Sequence, residues 1–406
     1  MVETTMGIMP AAMRRAAQAR KEESILMCAI VACMLVLPMA PFGFLQTPLY
    51  AVLLALCLSL VVVSIAASRL PFDTPLVVLG AAMFAYLTAH MVADGGGASD
   101  RLIQCALMAS VLIAASRFEW NQGSIRALNR ALTLIVIASA AYWIVSGRVT
   151  NYYAAFYGHS NGFANVLICA IAVKIIEMLS RNGRRIAVWD IAYFGICAIL
   201  LSFANSRSAI FTVSAMIASF AVLALVGRKR RTTTLAIALF IGAAVIMLAF
   251  SVVYPSLYGT PLGTQLELLS REYLNKNFFS GREVVWNMVL HALRGHELFG
   301  LGLSMEPSMI YNTTFSSHNL YLQTMLQSGI IGLIFVFLIL LVVILRLSKH
   351  TNLTAYLGIA LVIGIVVHEG FEVTLTQNNF SYGVMYWMVM GLSMSICERS
   401  RTVNND

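Results

Sequence analysis

The sequence predicts an all-α, polytopic membrane protein with about twelve transmembrane helices and one large extracytoplasmic loop. Its 406 residues are 59% hydrophobic and only 11% charged, whereas a soluble chain carries about a quarter charged residues. Apolar runs near the ~20 residues that cross a bilayer recur throughout. They lie at 24–40, 48–67, 74–93, 101–116, 127–146, 162–179, 186–204, 208–227, 233–254, 319–346, 353–372 and 381–397. We therefore expect one integral membrane domain over residues 1–406.

The first apolar run follows Arg14, Arg15, Arg20 and Lys21 and ends in the sequence LPMAP. This arrangement is similar to a signal peptide, with a weak cleavage-like site at 38–40. We predict that the run is retained as the first helix, because the distribution of charge along the chain is consistent only if it stays.

Basic residues indicate the orientation, because cytoplasmic loops of membrane proteins are rich in Lys and Arg. With a cytoplasmic N-terminus, only seven of the 27 basic residues face outward: Arg101, Arg148, Arg207, Arg271, Lys276, Arg282 and Arg294. The others face inward, among them Arg69, Arg184, Arg185 and the cluster 228–231. The tails 1–23 and 398–406 are then cytoplasmic. The +9 net charge is accordingly a topology signal and predicts no nucleic-acid partner.

Nine apolar runs precede the polar interval 255–318 and three follow it, so this interval is the predicted outer loop, with short helices that carry the site. The seven cysteines lie in apolar runs without CxxC spacing. We predict neither a disulfide framework nor a zinc site from them.

Three polar segments open predicted helices on the outer side. SGRE has the form of a capping box, with Ser280 as the N-cap, Glu283 reaching back and Arg282 in the first turn. NSRS places Arg207 at the start of the eighth helix. SSHN places His318 in the first turn of the tenth.

Helix N-termini carry free N–H groups and about half a positive charge, and the guanidinium fork matches phosphate oxygens bidentately. If Arg207, Arg282 and His318 converge, they form a diphosphate site at the membrane surface. Taken alone, each arginine is more typical of a solvated anchor, and His318 of a helix cap. Trp286 is more typical of an interfacial anchor than of a sugar platform.

One acidic group at the outer end of the eleventh helix stays open. His368, Glu369 and Glu372 either line a cavity or cap that helix, and the sequence favours neither interpretation.

Five segments together resemble the O-antigen ligase and Wzy-type polysaccharide polymerase superfamily of bacterial inner membranes. They are NSRSA (205–209), SGREVVW (280–286), LFGLGL (298–303), SHNLYLQTMLQSGIIGLIFVF (317–337) and, earlier, YGHSNGFAN (157–165). The predicted layout, with a large outward loop before the tenth helix, is also similar.

The resemblance implies a GT-C-like glycosyltransferase that uses no metal and no cofactor. The donor would be a glycan on undecaprenyl diphosphate and the acceptor a saccharide or glycolipid, outside the bacterial cytoplasmic (inner) membrane. Such enzymes assemble O-antigen, capsule or exopolysaccharide, and the sequence does not separate ligase from polymerase.

On the matching positions, the resemblance implies Arg207, Arg282 and His318 as catalytic residues. It leaves open whether His318 is a general base or only positions the acceptor. The expected substrate-binding residues are Asn319, Asn161, His159, Gly281 and Trp286.

The main alternative is a transporter or flippase for lipid-linked oligosaccharides. Transporters carry charged residues at mid-membrane and paired Gly- or Pro-broken helices in two halves. Here the polar residues gather toward one face, which favours the transferase. A non-catalytic assembly protein is the third interpretation.

Overall fold

The computed structural model describes residues 11–66, 73–181, 186–227, 231–311, 316–376 and 380–402. The helices are α1 (Ala11–Val36), α2 (Gln46–Ala66), α3 (Thr74–Ala93), α4 (Ser99–Arg117), α5 (Gln122–Val145), α6 (Ser160–Leu179), α7 (Val188–Ala204), α8 (Arg207–Val226), α9 (Thr232–Ser256), α10 (Pro261–Leu274), α11 (Arg282–Ala292), α12 (Pro307–Tyr311), α13 (Leu320–Leu347), α14 (Leu353–Glu369) and α15 (Phe380–Thr402). Part of the basic residues used for orientation lies outside the described ranges: Arg69, Arg184, Arg185 and 228–230.

The predicted all-α class is confirmed, because the described residues form helices and no strand. Each of the twelve predicted apolar runs contains one helix. The boundaries agree to within five residues except at the start of α1. Helix α1 begins at residue 11 rather than 24, and α14 ends at residue 369 rather than 372.

Nine of the described helices are long and apolar enough to cross a membrane, which makes this a multi-pass membrane protein. They are Ala40–Ala66 (α2 with the short 3₁₀ turn before it), α3, α4, α5, α6, α8, α9, α13 and α15. Helices α7 and α14 are apolar but have only 17 residues each, slightly under the ~20 that a perpendicular crossing needs. A count of twelve crossings therefore stays a prediction.

The chain divides into two compact units, Met1–Val77 with Ala106–Ser206 and Val384–Asp406, and Val78–Cys105 with Arg207–Gly383. In the first, the buried residues Lys174, Glu177 and Asp190 form an ion-pair network with the partly exposed Arg181. Lys174 Nζ lies 2.8 Å from Asp190 and 3.8 Å from Glu177, and Arg181 bridges both carboxylates at 2.6 Å. Lys174 is thus closer to Asp190 than to Glu177, its neighbour on the same helix.

In the second unit, α8 and α14 run antiparallel. Tyr356, near the start of α14, donates to the Gly227 carbonyl just past the end of α8 at 3.4 Å. At the other end, the Phe211 and Phe371 rings stack 5.2 Å apart. Helices α8 and α14 lie so close together at Gly364 that a Cβ there would be 2.4 Å from Met216 Cγ. This packing places Arg207 at the same end as residues 370–372.

Helix α13 is interrupted at Gly329, whose φ of 64° and ψ of −168° are not helical. Ile330 N–H therefore donates to the Glu297 carbonyl at 2.9 Å, and the freed Leu326 carbonyl accepts from Leu301 N–H at 2.7 Å. The break removes one helical hydrogen bond, from Ile330 N–H to the Leu326 carbonyl. The loop that contains the LFGLG sequence supplies a new partner for each of these two groups. Its glycines permit this contact, since a Cβ on Gly300 would lie 2.8 Å from backbone atoms of α13.

Gly329→Ala is expected to destabilise the protein by roughly 3 kcal/mol or more. The ε conformation is essentially restricted to glycine and costs other residues about 1–3 kcal/mol, and the new Cβ would meet the Leu298 carbonyl oxygen at 2.1 Å. Thermal unfolding in detergent measures the change. Gly242→Ala in α9 is the control, because nothing lies within 4 Å of its Cβ position and alanine favours a helix by about 0.5–1 kcal/mol. Equal melting of Gly329→Ala and wild type would contradict the role of the break.

Candidate active site

A buried carboxylate, Glu372, joins two of the predicted catalytic residues. Its Oε1 lies 3.3 Å from Arg282 Nη2, and its Oε2 lies 3.1 Å from His318 Nδ1. The Glu372 side chain is 1% exposed, whereas those of Arg282 and His318 are 26% and 41% exposed. The carboxylate thus holds a guanidinium and an imidazole side by side while both remain accessible.

The backbone of Glu372 is fixed from two directions. Its N–H donates to the His368 carbonyl at 3.1 Å, which continues the end of α14, and its carbonyl accepts from Leu320 N–H at 3.1 Å, at the start of α13. The carboxylate is therefore set by two membrane helices. The sequence alone did not decide the role of Glu372. The signal that could have indicated it is a carboxylate directly beyond the end of an apolar helix.

The Glu372 carboxylate carries a charge. Burial alone would raise the pKa of this carboxyl, but the hydrogen bond and charge of His318, together with Arg282 and His368, hold its pKa below the usual range. Since an ordinary glutamate titrates near pH 4.3, Glu372 is ionised at neutral pH.

His318 lies in a left-handed conformation, with φ of 43°, between two residues that are completely buried, Ser317 and Asn319. The prediction that His318 sits in the first turn of a helix is wrong. Helix α13 begins at Leu320 with Asn319 as its N-cap, so His318 precedes the cap. A left-handed non-glycine residue persists only when its surroundings hold it there, and here they turn the imidazole outward.

Asn319 and Trp286 are both buried, and their expected part in substrate binding stays a prediction. Asn319 is 0% exposed, caps Leu322 N–H at 3.1 Å and donates to Ser251 Oγ at 2.8 Å. Trp286 is 1% exposed and donates from Nε1 to the Ser317 carbonyl at 2.6 Å. Neither side chain presents a free face to a sugar. Both fix the segment that carries His318.

Arg282 opens α11, as predicted, although the predicted cap is wrong. The N-cap is Gly281, with φ of 89°, rather than Ser280. Glu283 does reach back: its carboxylate accepts from the N–H groups of Ser280 and Gly281 at 3.0–3.1 Å and from the Tyr254 hydroxyl at 3.2 Å. The Gly281 N–H is therefore already hydrogen-bonded. The expected contact between Gly281 and substrate would use the open space at the Cβ position of this glycine.

Arg207 opens α8, as predicted, and is exposed. Its Nη1 donates to the Asn277 carbonyl at 2.8 Å, five residues before Arg282. One helical turn later, Phe211 stacks on Phe371, the neighbour of Glu372. Two separate contacts thus place the start of α8 against the segments that carry Arg282 and Glu372.

His159 and Asn161 belong to the first compact unit. His159 is the N-cap of α6, and its Nδ1 accepts from Gly162 N–H at 3.0 Å. Asn161 lies in the first turn of the same helix, and both side chains are half-buried. Their expected part in substrate binding stays a prediction.

The arrangement is suited to moving a proton and stabilising an anion. A carboxylate on Nδ1 orients the imidazole and leaves Nε2 available, and His318 Nε2 has no hydrogen bond to any residue within the described ranges. Arg207 and Arg282 supply two partly free guanidinium groups. Across the same ranges, no group of three or more His, Cys, Asp or Glu side chains is placed to hold a metal ion.

The sequence model of the O-antigen ligase family (Wzy_C) matches residues 192–337. This match confirms the resemblance to the O-antigen ligase and Wzy-type superfamily over that stretch. It includes Arg207, Arg282 and His318, whereas His159, Asn161 and Glu372 lie outside it. No curated protein matches the chain.

Proposed function

Starting from an O-antigen ligase domain at residues 192–337, we propose that this membrane protein transfers a glycan from undecaprenyl diphosphate to a sugar hydroxyl. The observation that carries the proposal is Glu372, which holds Arg282 and His318 together within hydrogen-bond distance. Such a unit serves a reaction in which an acceptor loses a proton while a diphosphate gains charge.

In this reaction the acceptor oxygen forms a bond to the anomeric carbon of the donor as His318 Nε2 takes the hydroxyl proton. The bond between that carbon and the diphosphate oxygen breaks, and its electron pair leaves with the diphosphate. Arg207 and Arg282 stabilise the charge that builds on the leaving group. Removing one such donor typically costs about 3–4 kcal/mol of transition-state stabilisation.

Glu372 acts on this step through His318. A charged carboxylate at Nδ1 stabilises the imidazolium that forms when Nε2 takes the proton, and it fixes the tautomer with the proton on Nδ1. It also holds one edge of the Arg282 guanidinium. The rest of the guanidinium remains for phosphate oxygens.

We place the active face on the extracytoplasmic side of the inner membrane, with both termini cytoplasmic. The charge distribution supports this orientation, because basic residues are sparse in the loops that would face outward. A GT-C-like, metal-independent mechanism follows from the family resemblance, and the two guanidinium groups supply the positive charge that it requires.

A reporter fused after residue 290 is expected outside the cytoplasm, and one fused after residue 230 inside it. Alkaline phosphatase activity for the first fusion and fluorescent-protein emission for the second measure the two locations. The reverse pattern would invert the orientation and move the proposed site to the cytoplasmic side.

The decisive experiment incubates the purified protein with an undecaprenyl-diphosphate glycan and alternative acceptors. A ladder of products indicates a polymerase, and a single capped acceptor indicates a ligase. Absence of turnover with any acceptor would contradict the transferase and favour transport of the lipid-linked glycan. The same assay with a chelator is expected to proceed unchanged, and inhibition that added metal reverses would refute the metal-free mechanism.

A further inference from the structure

Helix α10 carries a stripe of exposed apolar side chains. Leu262, Leu269 and Tyr273 are 54%, 49% and 74% exposed, and their spacing of seven and four residues places them on one face. Leu266 lies on the same face and is half-buried. Leu268, 61% exposed, lies instead among the polar residues of the opposite face.

A neighbouring face of the same helix is packed against the protein. Gly263 and Ser270 are buried there, and a Cβ on Gly263 would lie 2.0 Å from the Leu257 carbonyl oxygen. The apolar stripe is therefore not the side through which α10 packs. It is a second apolar surface that contacts no other part of the described chain closely enough to be buried.

The position of α10 along the chain indicates what covers this stripe. Membrane helix α9 ends at Ser256, and α10 begins at Pro261. The last turns of α9 expose Val252 and Val253 by more than half, as expected for side chains in contact with lipid. The apolar stripe thus begins at Leu262, six residues after the end of α9, close along the chain to the point where that helix leaves the membrane. A tyrosine at its end is typical of the membrane interface.

We propose that α10 lies in the membrane interface, with Leu262, Leu269 and Tyr273 among the lipids, and that it sets the height of both arginines at the bilayer surface. An amphipathic helix of this kind seats its apolar face about 5–10 Å into the headgroup boundary. The docking itself stands on the stripe alone, whereas the effect on the arginines rests on the proposed function.

Hydrogen bonds connect α10 to the segment that carries the arginines. Glu267 accepts from Phe279 N–H at 2.9 Å, and Ser270 donates to the Lys276 carbonyl at 2.7 Å. Between these two points lies Asn277, whose carbonyl receives Arg207, and Arg282 follows directly. A diphosphate attached to a membrane lipid stays at one depth, so a helix held at the interface would keep both guanidinium groups at that depth.

Two adjacent leucines give a matched test of the docking. Leu269→Cys and Leu268→Cys, in a background that lacks the seven native cysteines, are labelled with a nitroxide and reconstituted into phosphatidylethanolamine–phosphatidylglycerol vesicles. Collision with oxygen, which concentrates in lipid, is compared with collision with a water-soluble nickel chelate. We expect the ratio of oxygen to nickel accessibility to be several-fold higher at position 269 than at 268. Equal ratios would overturn the proposal, and so would low accessibility to both reagents at 269, which would indicate cover by protein such as a second copy.

The effect on the site is tested separately, with the variant Leu262→Ser/Leu269→Ser and the control Leu268→Ser. Transfer from a long-chain donor embedded in vesicles is expected to fall several-fold in the double variant. Transfer from a short-chain, water-soluble diphosphate donor is expected to match the control, since that donor needs no fixed depth. An equal loss with both donors, or no loss, would overturn the link to the arginines. If wild-type protein transfers from neither donor, the proposed function fails while the spin-label result still decides the docking.

Discussion

Arg282→Lys is expected to reduce glycan transfer by about two to three orders of magnitude while the protein remains folded in the membrane. One edge of the Arg282 guanidinium lies 3.3 Å from Glu372 Oε1, and the side chain is 26% exposed, so the same group can hold the carboxylate and a phosphate oxygen at once. A lysine ammonium is a point charge without this fork. We expect kcat in the purified assay to fall by about 10²–10³, as for loss of one transition-state donor.

Arg294→Lys is the matched control, because Arg294 is an exposed arginine of the same loop that the proposed mechanism does not use. It should retain wild-type kcat. Arg207→Lys provides an independent check, since Arg207 donates to the Asn277 carbonyl and not to Glu372. A loss in both Arg207→Lys and Arg282→Lys would therefore reflect the donor diphosphate rather than damage to Glu372. Full activity of Arg282→Lys would refute the assignment of the diphosphate site.

The membrane helices were predictable because most are long apolar runs, and the polar residues at their ends indicated most of the candidate site. Arg207 and Arg282 begin helices in the structure as the sequence predicted, since short polar segments with serine or glycine precede both. Local sequence patterns carry this information. The starts of these helices could therefore be predicted without knowing which helices pack together.

The surroundings of Trp286, Asn319 and Glu372 depend on contacts between distant parts of the chain. Trp286 donates to a carbonyl 31 residues away, and Asn319 donates to a serine 68 residues away, so no local pattern indicates that either is buried. Glu372 reaches Arg282 across 90 residues, and its backbone is fixed by the end of α14 and the start of α13. The sequence alone therefore could not distinguish a helix cap from a residue that contacts Arg282 and His318.

His318→Asn is expected to reduce transfer by roughly 10²–10⁴, the usual contribution of a general base. Asparagine suits this position because it tolerates the left-handed conformation, which His318 adopts with φ of 43°. It can donate and accept hydrogen bonds but cannot take a proton at neutral pH. The substitution therefore separates the two roles that the sequence left open. A base predicts a lower kcat with little change in KM for the acceptor, whereas a residue that only positions the acceptor predicts a higher KM.

Glu372→Gln should give a similar fall in kcat if the carboxylate works through the imidazole. Glutamine keeps the size of the side chain and can still accept from Nδ1, but it removes the negative charge that stabilises the imidazolium during proton transfer. The double variant Glu372→Gln/His318→Asn is then expected to be hardly worse than either single variant, because groups that act as one unit show non-additive losses. Independent, additive losses in kcat would mean that Glu372 positions Arg282 or stabilises the fold instead. The orientation of the His318 imidazole would then need another explanation.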